Sequence, residues 1–321
     1  MLPSTTTEQV FSIAMDLSAI FHVPVKLFAM HIIYRHSPSN MEALPYFLLN
    51  IMAWNFLANI CSGILHVQPQ FPAECFKVSG PIALLTTDER AGHIVFGLLF
   101  ACIHNTVAAL FLAFPYRFFV FTYPDLISKF TPKWGWACCA SVHIGSSAIS
   151  LFSFSQLIVS YDDYPERNEL PARDGIYCFV NNGWKPTIFI VALILGAGAA
   201  LTIILLFSLL LRRQIMKMKN LMSEQTLKLQ SKFLRYLLII TIVPVAVGAC
   251  PIGICVLCLL FPHISYSREV AMTCVVLVMN FGAVNAIISI ATFKPYWNAA
   301  KRITRKALRA QSTSVQPLHK Q

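Results

Sequence analysis

Ionisable side chains interrupt long apolar runs in this sequence, among them Asp16, His22 and Lys26, then His93 and His104, then His143. A titratable group in such a run is expensive to bury in lipid, and its default roles are proton relay, counter-ion or ligand contact. Metal chemistry does not fit the spacing. His93 and His104 stand eleven residues apart, three helical turns, so they share a face but lie about 16 Å from each other. The ten cysteines offer no Cys-x-x-Cys in a polar setting and no metal-ligand spacing. Gly-x-Ser-x-Gly, His-Glu-x-x-His and P-loop patterns are missing as well, so neither an enzyme nor a cofactor is expected. His104 with Asn105 fits hydrogen bonding to another helix better than ligand contact.

Seven apolar segments must position these groups. A bilayer core takes about 20 apolar residues in helical form, and the spans read as Val10–Ile33, Pro45–Val67, Ala91–Phe114, Trp134–Ile158, Pro186–Leu211, Tyr236–Phe261 and Val270–Phe293. Composition agrees, with 56% hydrophobic and 12% charged residues against about a quarter charged in soluble domains. The expected architecture is an all-α seven-transmembrane bundle over 10–293. A short tail, 1–9, precedes it; an amphipathic helix, 294–310, and a disordered tail, 311–321, follow. The first span lacks a basic n-region before it and is read as a retained helix rather than a signal peptide.

Basic residues fall on alternate connections. Loops one, three and five plus the C-terminal tail carry eighteen Lys and Arg; the opposite side carries six. That asymmetry puts the N-terminus outside and the C-terminus in the cytoplasm. The net charge of +11 therefore points to anionic headgroups on the inner rim, not to nucleic acid. After Lys294-Pro295-Tyr296-Trp297, a 3.6-residue period sets Trp297, Ala300, Ile303 and Thr304 against Lys301, Arg302, Arg305, Lys306 and Arg309. This is the pattern of an interfacial helix. Lys228, Lys232 and Arg235 form a second basic stripe at the entry to span six, readable as a solvated face or as a docking surface. Pro244 and Pro251 interrupt span six and make either a fixed kink or a hinge.

Short motifs at the span ends resemble the nematode serpentine chemoreceptors of class H in the Str superfamily, with class I a close second. They are His22-Val23-Pro24-Val25-Lys26, Ser37-Pro38-Ser39-Asn40-Met41, Leu48-Leu49-Asn50 with Trp54, Phe114-Pro115-Tyr116-Arg117-Phe118-Phe119, Leu227–Leu234, the pair Pro244 and Pro251, and Lys294-Pro295-Tyr296. The resemblance implies a G-protein-coupled, odorant-type receptor in the plasma membrane, with a sensory cilium as one setting. Its partners would be a small extracellular molecule, a cytosolic heterotrimeric G protein and membrane lipids, with homo- or hetero-oligomers left open. The runner-up is a seven-helix transporter or a ligand-gated channel subunit. Two departures stand out: Pro115 replaces the family's acid before Arg117, and Trp297 replaces the final Arg of Lys-Pro-Tyr-Arg.

Within that framework, Arg117, Lys228, Lys232 and Arg235 are the candidate transducer-facing residues. Depth and chemistry nominate His93, Phe96, Cys255, Met279 and Asn280 for the ligand pocket. Only Cys75 and Cys178 lie clearly in outer loops. Seven-helix receptors often tie the top of helix three to the second outer loop, whereas Cys75 sits in the first outer loop, so a Cys75–Cys178 bridge stays open.

Overall fold

A computed structural model describes residues 6–314, apart from 39, 40, 42, 130, 171–173, 181, 182 and a discontinuous set between 220 and 243. Six described helices are long and apolar enough to cross a membrane: α1 (Thr6–His36), α2 (Leu44–Leu65), α3 (Glu89–Thr122), α5 (Pro132–Ser155), α6 (Trp184–Lys217) and α8 (Ser267–Thr292). The short α4 (Pro124–Ser128) links α3 to α5. In the expected sixth span the described residues include a π-helical stretch, Pro244–Ala249, running into α7 (Cys250–Leu260). α9 (Lys294–Ser314) closes the chain. It runs to Ser314, four residues past the boundary expected at 310.

Local sequence explains the helix ends. Asp88 caps α3 by accepting from Arg90 N at 3.0 Å, and Pro132 occupies the first turn of α5, where its missing N–H costs nothing. α2 stops at His66, whose φ of +44° is left-handed and whose N–H returns to Ser62 O. α3 and α6, at 34 residues each, outrun the apolar spans expected for them.

The linkers α2–α3 and α5–α6 meet in an element the hydropathy pattern did not announce. β1 (Val67–Pro69), β2 (Cys75–Val78), β3 (Ile158–Val159) and β4 (Ile176–Phe179) form one antiparallel sheet in the order β1-β2-β4-β3. Cys75 pairs with Cys178 across β2 and β4, and Val67 with Val78 across β1 and β2. This sheet defines one end of the bundle; α9 defines the other. β4 is buried on both faces. Tyr177 and Phe179 face Phe154, Leu157 and Leu65, while Ile176 and Cys178 face Tyr164 and Ala73.

α3 packs against α2, α5 and α6, and α8 packs against α1, α7 and α2. At the α9 end, Ile32, Ile33, Met41, Ile290, Tyr296 and Ala300 share one apolar cluster. That cluster seats α9 on α1 and α8. It fixes which way the helix faces, with Lys301, Arg302, Arg305 and Lys306 exposed.

Candidate functional site

Beneath the sheet, aromatic rings from four elements converge. His93 of α3 meets Tyr177 and Phe179 edge-on, with centroids 5.3 and 5.4 Å away. Phe96, one turn along, lies 5.7 Å from both and 5.5 Å from Phe76 of β2. Phe154 of α5 closes the cluster, 5.8 Å from Phe96. Gly92 makes this approach feasible, because a β-carbon there would lie 2.6 Å from the Tyr177 ring. By hydrogen-bond geometry, both ring nitrogens of His93 and the Tyr177 hydroxyl are buried without a partner among the described residues, with the Val159 backbone beside the His93 ring. An unpaired buried polar group costs about 1–3 kcal/mol. Burial also pushes the Tyr177 phenol well above its usual pKa. An apolar lining with a few converging polar groups is the usual composition of a small-molecule site.

The sheet is tied down by covalent and ionic contacts. Cys75 and Cys178 are joined as a disulfide across β2 and β4. Glu8 of α1 contacts Arg268 of α8 at 2.5 Å and Lys77 of β2 at 3.5 Å. On the far face, Tyr164 OH donates to Glu74 Oε2 at 2.9 Å and accepts from Glu74 N at 3.1 Å. Burial, then that carboxylate, raises the Tyr164 pKa. Glu89 accepts from Ser160 Oγ and Tyr161 N, both at 2.9 Å.

The five residues nominated for the pocket do not come together. His93 and Phe96 belong to the aromatic cluster under the sheet. Met279 is buried with Phe11, Met15 and Met272 between α1 and α8, and Asn280 donates to Ser18 Oγ at 2.8 Å along the same seam. Cys255 of α7 points its thiol at Ala271 O, 3.7 Å away. Depth and chemistry nominated them, and neither says which face of a helix looks inward. Tyr177, Phe179 and Phe76 were missed because their linkers carry no helical period to orient them.

Intramembrane polar groups sort into two seams. Across α2, α3 and α5, Asn50 Nδ2 lies 3.0 Å from His143 Nε2, His143 Nδ1 lies 2.7 Å from Asn105 Oδ1, and Asn105 Nδ2 donates to Ser147 Oγ at 2.7 Å. Asn105 thus bonds to another helix, whereas His104 turns back to Phe100 O of its own helix at 3.0 Å. Across α1, α2 and α8, Asn59 Nδ2 donates to Met279 O at 2.6 Å, and Lys26 Nζ donates to Asn55 O at 3.3 Å and also to Asn55 Oδ1. This second seam is incomplete, since both His22 nitrogens and Asn285 Oδ1 are buried without partners among the described residues.

At the α9 end, Arg117 is half-buried on α3 while Arg212, Arg213, Lys217 and Arg235 are exposed. A groove of about 540 Å³ is lined by Leu209, Arg212, Arg213, Met216 and Lys217. Lys228 and Lys232 lie outside the described residues. Pro244 opens the π-helical stretch, and Pro251 sits buried in the first turn of α7, so the two prolines flank a change of helix type.

Against known families, a model described as the serpentine type 7TM GPCR chemoreceptor Srh matches residues 6–306. No curated protein matches the chain.

Proposed function

The chain belongs to the Srh family of serpentine seven-transmembrane chemoreceptors, and on that footing we propose that it binds a small, apolar or weakly polar molecule at the sheet end and signals to a heterotrimeric G protein at the α9 end. The observation that carries the ligand side is the aromatic cluster around His93 and Tyr177, where three buried polar atoms have no hydrogen-bond partner among the described residues beneath a disulfide-tied sheet. A ligand that satisfies them recovers desolvation free energy already spent on the empty protein. The basic residues of α6 and α9, with Arg117 and Arg235, support a cytoplasmic α9 end. Anionic headgroups would meet α9 there, and a transducer the groove beside Arg212 and Arg213. Binding drives signalling only if the molecule prefers the signalling arrangement.

The test is a screen of small volatile and water-soluble molecules with a G-protein nucleotide-exchange readout. Active compounds should lose about tenfold or more in potency on His93→Leu while surface expression holds. Activity untouched by His93→Leu, or current that persists without any G protein, would refute the respective half of the proposal. A tag at the N-terminus should be reached only from outside the cell.

A further inference from the structure

We infer that Lys26 is a conformational latch that can exchange one intramembrane partner for another, Asn55 of α2 for Asn285 of α8. The inference rests on the receptor reading only for its signalling consequence. Lys26 lies about 30 Å along α1 from Thr6 and about 15 Å from His36, inside a span of apolar residues. Its side chain is 1% exposed, and no acidic partner is recorded for it among the described residues. A methionine would fill the same volume without the cost of a buried amino group. What the lysine adds is a directional contact between helices.

That contact is built around a missing side chain. Gly282 of α8 faces the Lys26–Asn55 pair, and a β-carbon there would lie 2.6 Å from Lys26 Cε and collide with Asn55 Oδ1. Any larger residue would part α8 from the pair. The alternative acceptor lies just beyond. Asn285 is three residues after Gly282, about 4.5 Å further along the helix, and its Oδ1 is buried with nothing to accept from among the described residues. A bistable element needs two arrangements of similar free energy that differ in a discrete contact. Here one donor on a flexible four-carbon stem serves two acceptors, one engaged and one idle. The contrasting seam of α2, α3 and α5 has a partner at each link of its Asn50–His143–Asn105–Ser147 chain and so offers no such exchange. Because α8 leads directly into α9, a shift of α8 that brings Asn285 to Lys26 moves the α9 end.

The test uses the full-length protein in lipid nanodiscs, spin-labelled through Arg213→Cys on α6 and Arg305→Cys on α9. Exposed native cysteines are replaced by serine, and no ligand is added. Asn55→Leu removes the resting side-chain acceptor, leaving only the longer contact to the backbone carbonyl, and should enlarge the minor distance population by about threefold or more, the effect of one modest hydrogen bond. Asn285→Leu removes the alternative acceptor and should shrink that population below wild type. Asn55→Asp strengthens the resting contact and should shrink it also, which keeps the test standing if the leucine variant does not fold. Shifts of the same sign for both leucine variants, or unchanged distances in all three, overturn the latch. Nucleotide exchange is measured on unlabelled copies. Opposite distance shifts with no exchange in any variant would keep the latch and sink the G-protein reading.

Discussion

The two ends of this molecule bury tyrosines in opposite ways. At the α9 end, Tyr296 is fully buried and its hydroxyl is occupied, 2.8 Å from Ser37 Oγ and 3.4 Å from Met41 Sδ. At the sheet end, Tyr177 is as deeply buried and its hydroxyl has no partner. At one end the tyrosine is satisfied, with α9 packed onto α1, although Thr122 Oγ1 nearby is buried without a partner among the described residues; the other end is held by a disulfide, ion pairs and strand pairing while a few polar atoms in its apolar interior stay unpaired. Unpaired groups sort to functional sites because selection for stability alone removes them. The difference teaches where to look for a ligand: under the sheet, where stability has been given up.

If the sheet end depends on external ties, cutting the strongest tie should produce the largest effect. Cys75→Ser or Cys178→Ser should lower stability by about 2–4 kcal/mol, since the bridge closes a loop of roughly 100 residues whose entropy the membrane helices already restrict in part. The check is intrinsic-fluorescence melting in detergent, with and without reductant. Reductant should reproduce either mutation and add nothing to it. A melting curve insensitive to both would mean that strand pairing and Glu8 suffice to hold the sheet.

The bundle was legible in the sequence, and the sheet was not, for physical reasons. A span announces itself through 20 local residues, and lipid leaves its backbone only the helix. The sheet rests on strands of two to four residues with no sustained alternation, and β2 pairs with β4 about 100 positions away. No local pattern encodes such pairing. The disulfide was half-readable: two outer cysteines suggest each other, but only the Cys75–Cys178 register shows why they meet. Lys26 was visible as an anomaly in span one, yet its partner Asn55 and the proposed alternative Asn285 lie on other helices at positions without a motif. His93 and Phe96 were chosen for depth, and tertiary packing decided that they share a cluster while Met279, Asn280 and Cys255 do not.

A matched pair of substitutions sharpens the contrast between the ends. Tyr177→Phe deletes a hydroxyl that pays for nothing in the empty protein, so stability should rise by about 1 kcal/mol; Tyr296→Phe deletes a bonded one and should lower it by about 1 kcal/mol. Thermal melting of the two purified variants reads both signs directly. Activation should respond in the other sense at the sheet end, with the stabilised Tyr177→Phe protein answering ligands less well. Two destabilised variants would show that the Tyr177 hydroxyl has a partner in solution, a bound water being the simplest, and the claimed asymmetry would be gone.

The smallest effect expected at the sheet end is a response to acid through His66. Its side chain is 3% exposed, with Nε2 3.5 Å from Asp16 Oδ1, while the Asp16 side chain is 62% exposed. Burial lowers the His66 pKa, and Asp16 offsets part of that; a half-solvated carboxylate at this distance is too well screened to win. The folded protein therefore prefers the neutral ring, whereas the unfolded chain takes up a proton near the ordinary value of about 6.5. The stabilisation is fully present above that value and is lost as pH falls through the window between it and the lowered folded value. His66 also ends α2 in the left-handed region, which asparagine tolerates. His66→Asn should then keep the helix end and flatten this share of the acid response, while Asp16→Asn, by removing the compensating charge, should steepen it. Melting temperatures of the three proteins from pH 7.5 to 5 decide the matter: if wild type and His66→Asn lose stability in parallel, the acid response arises elsewhere and the two ends do not differ in their sensitivity to protons.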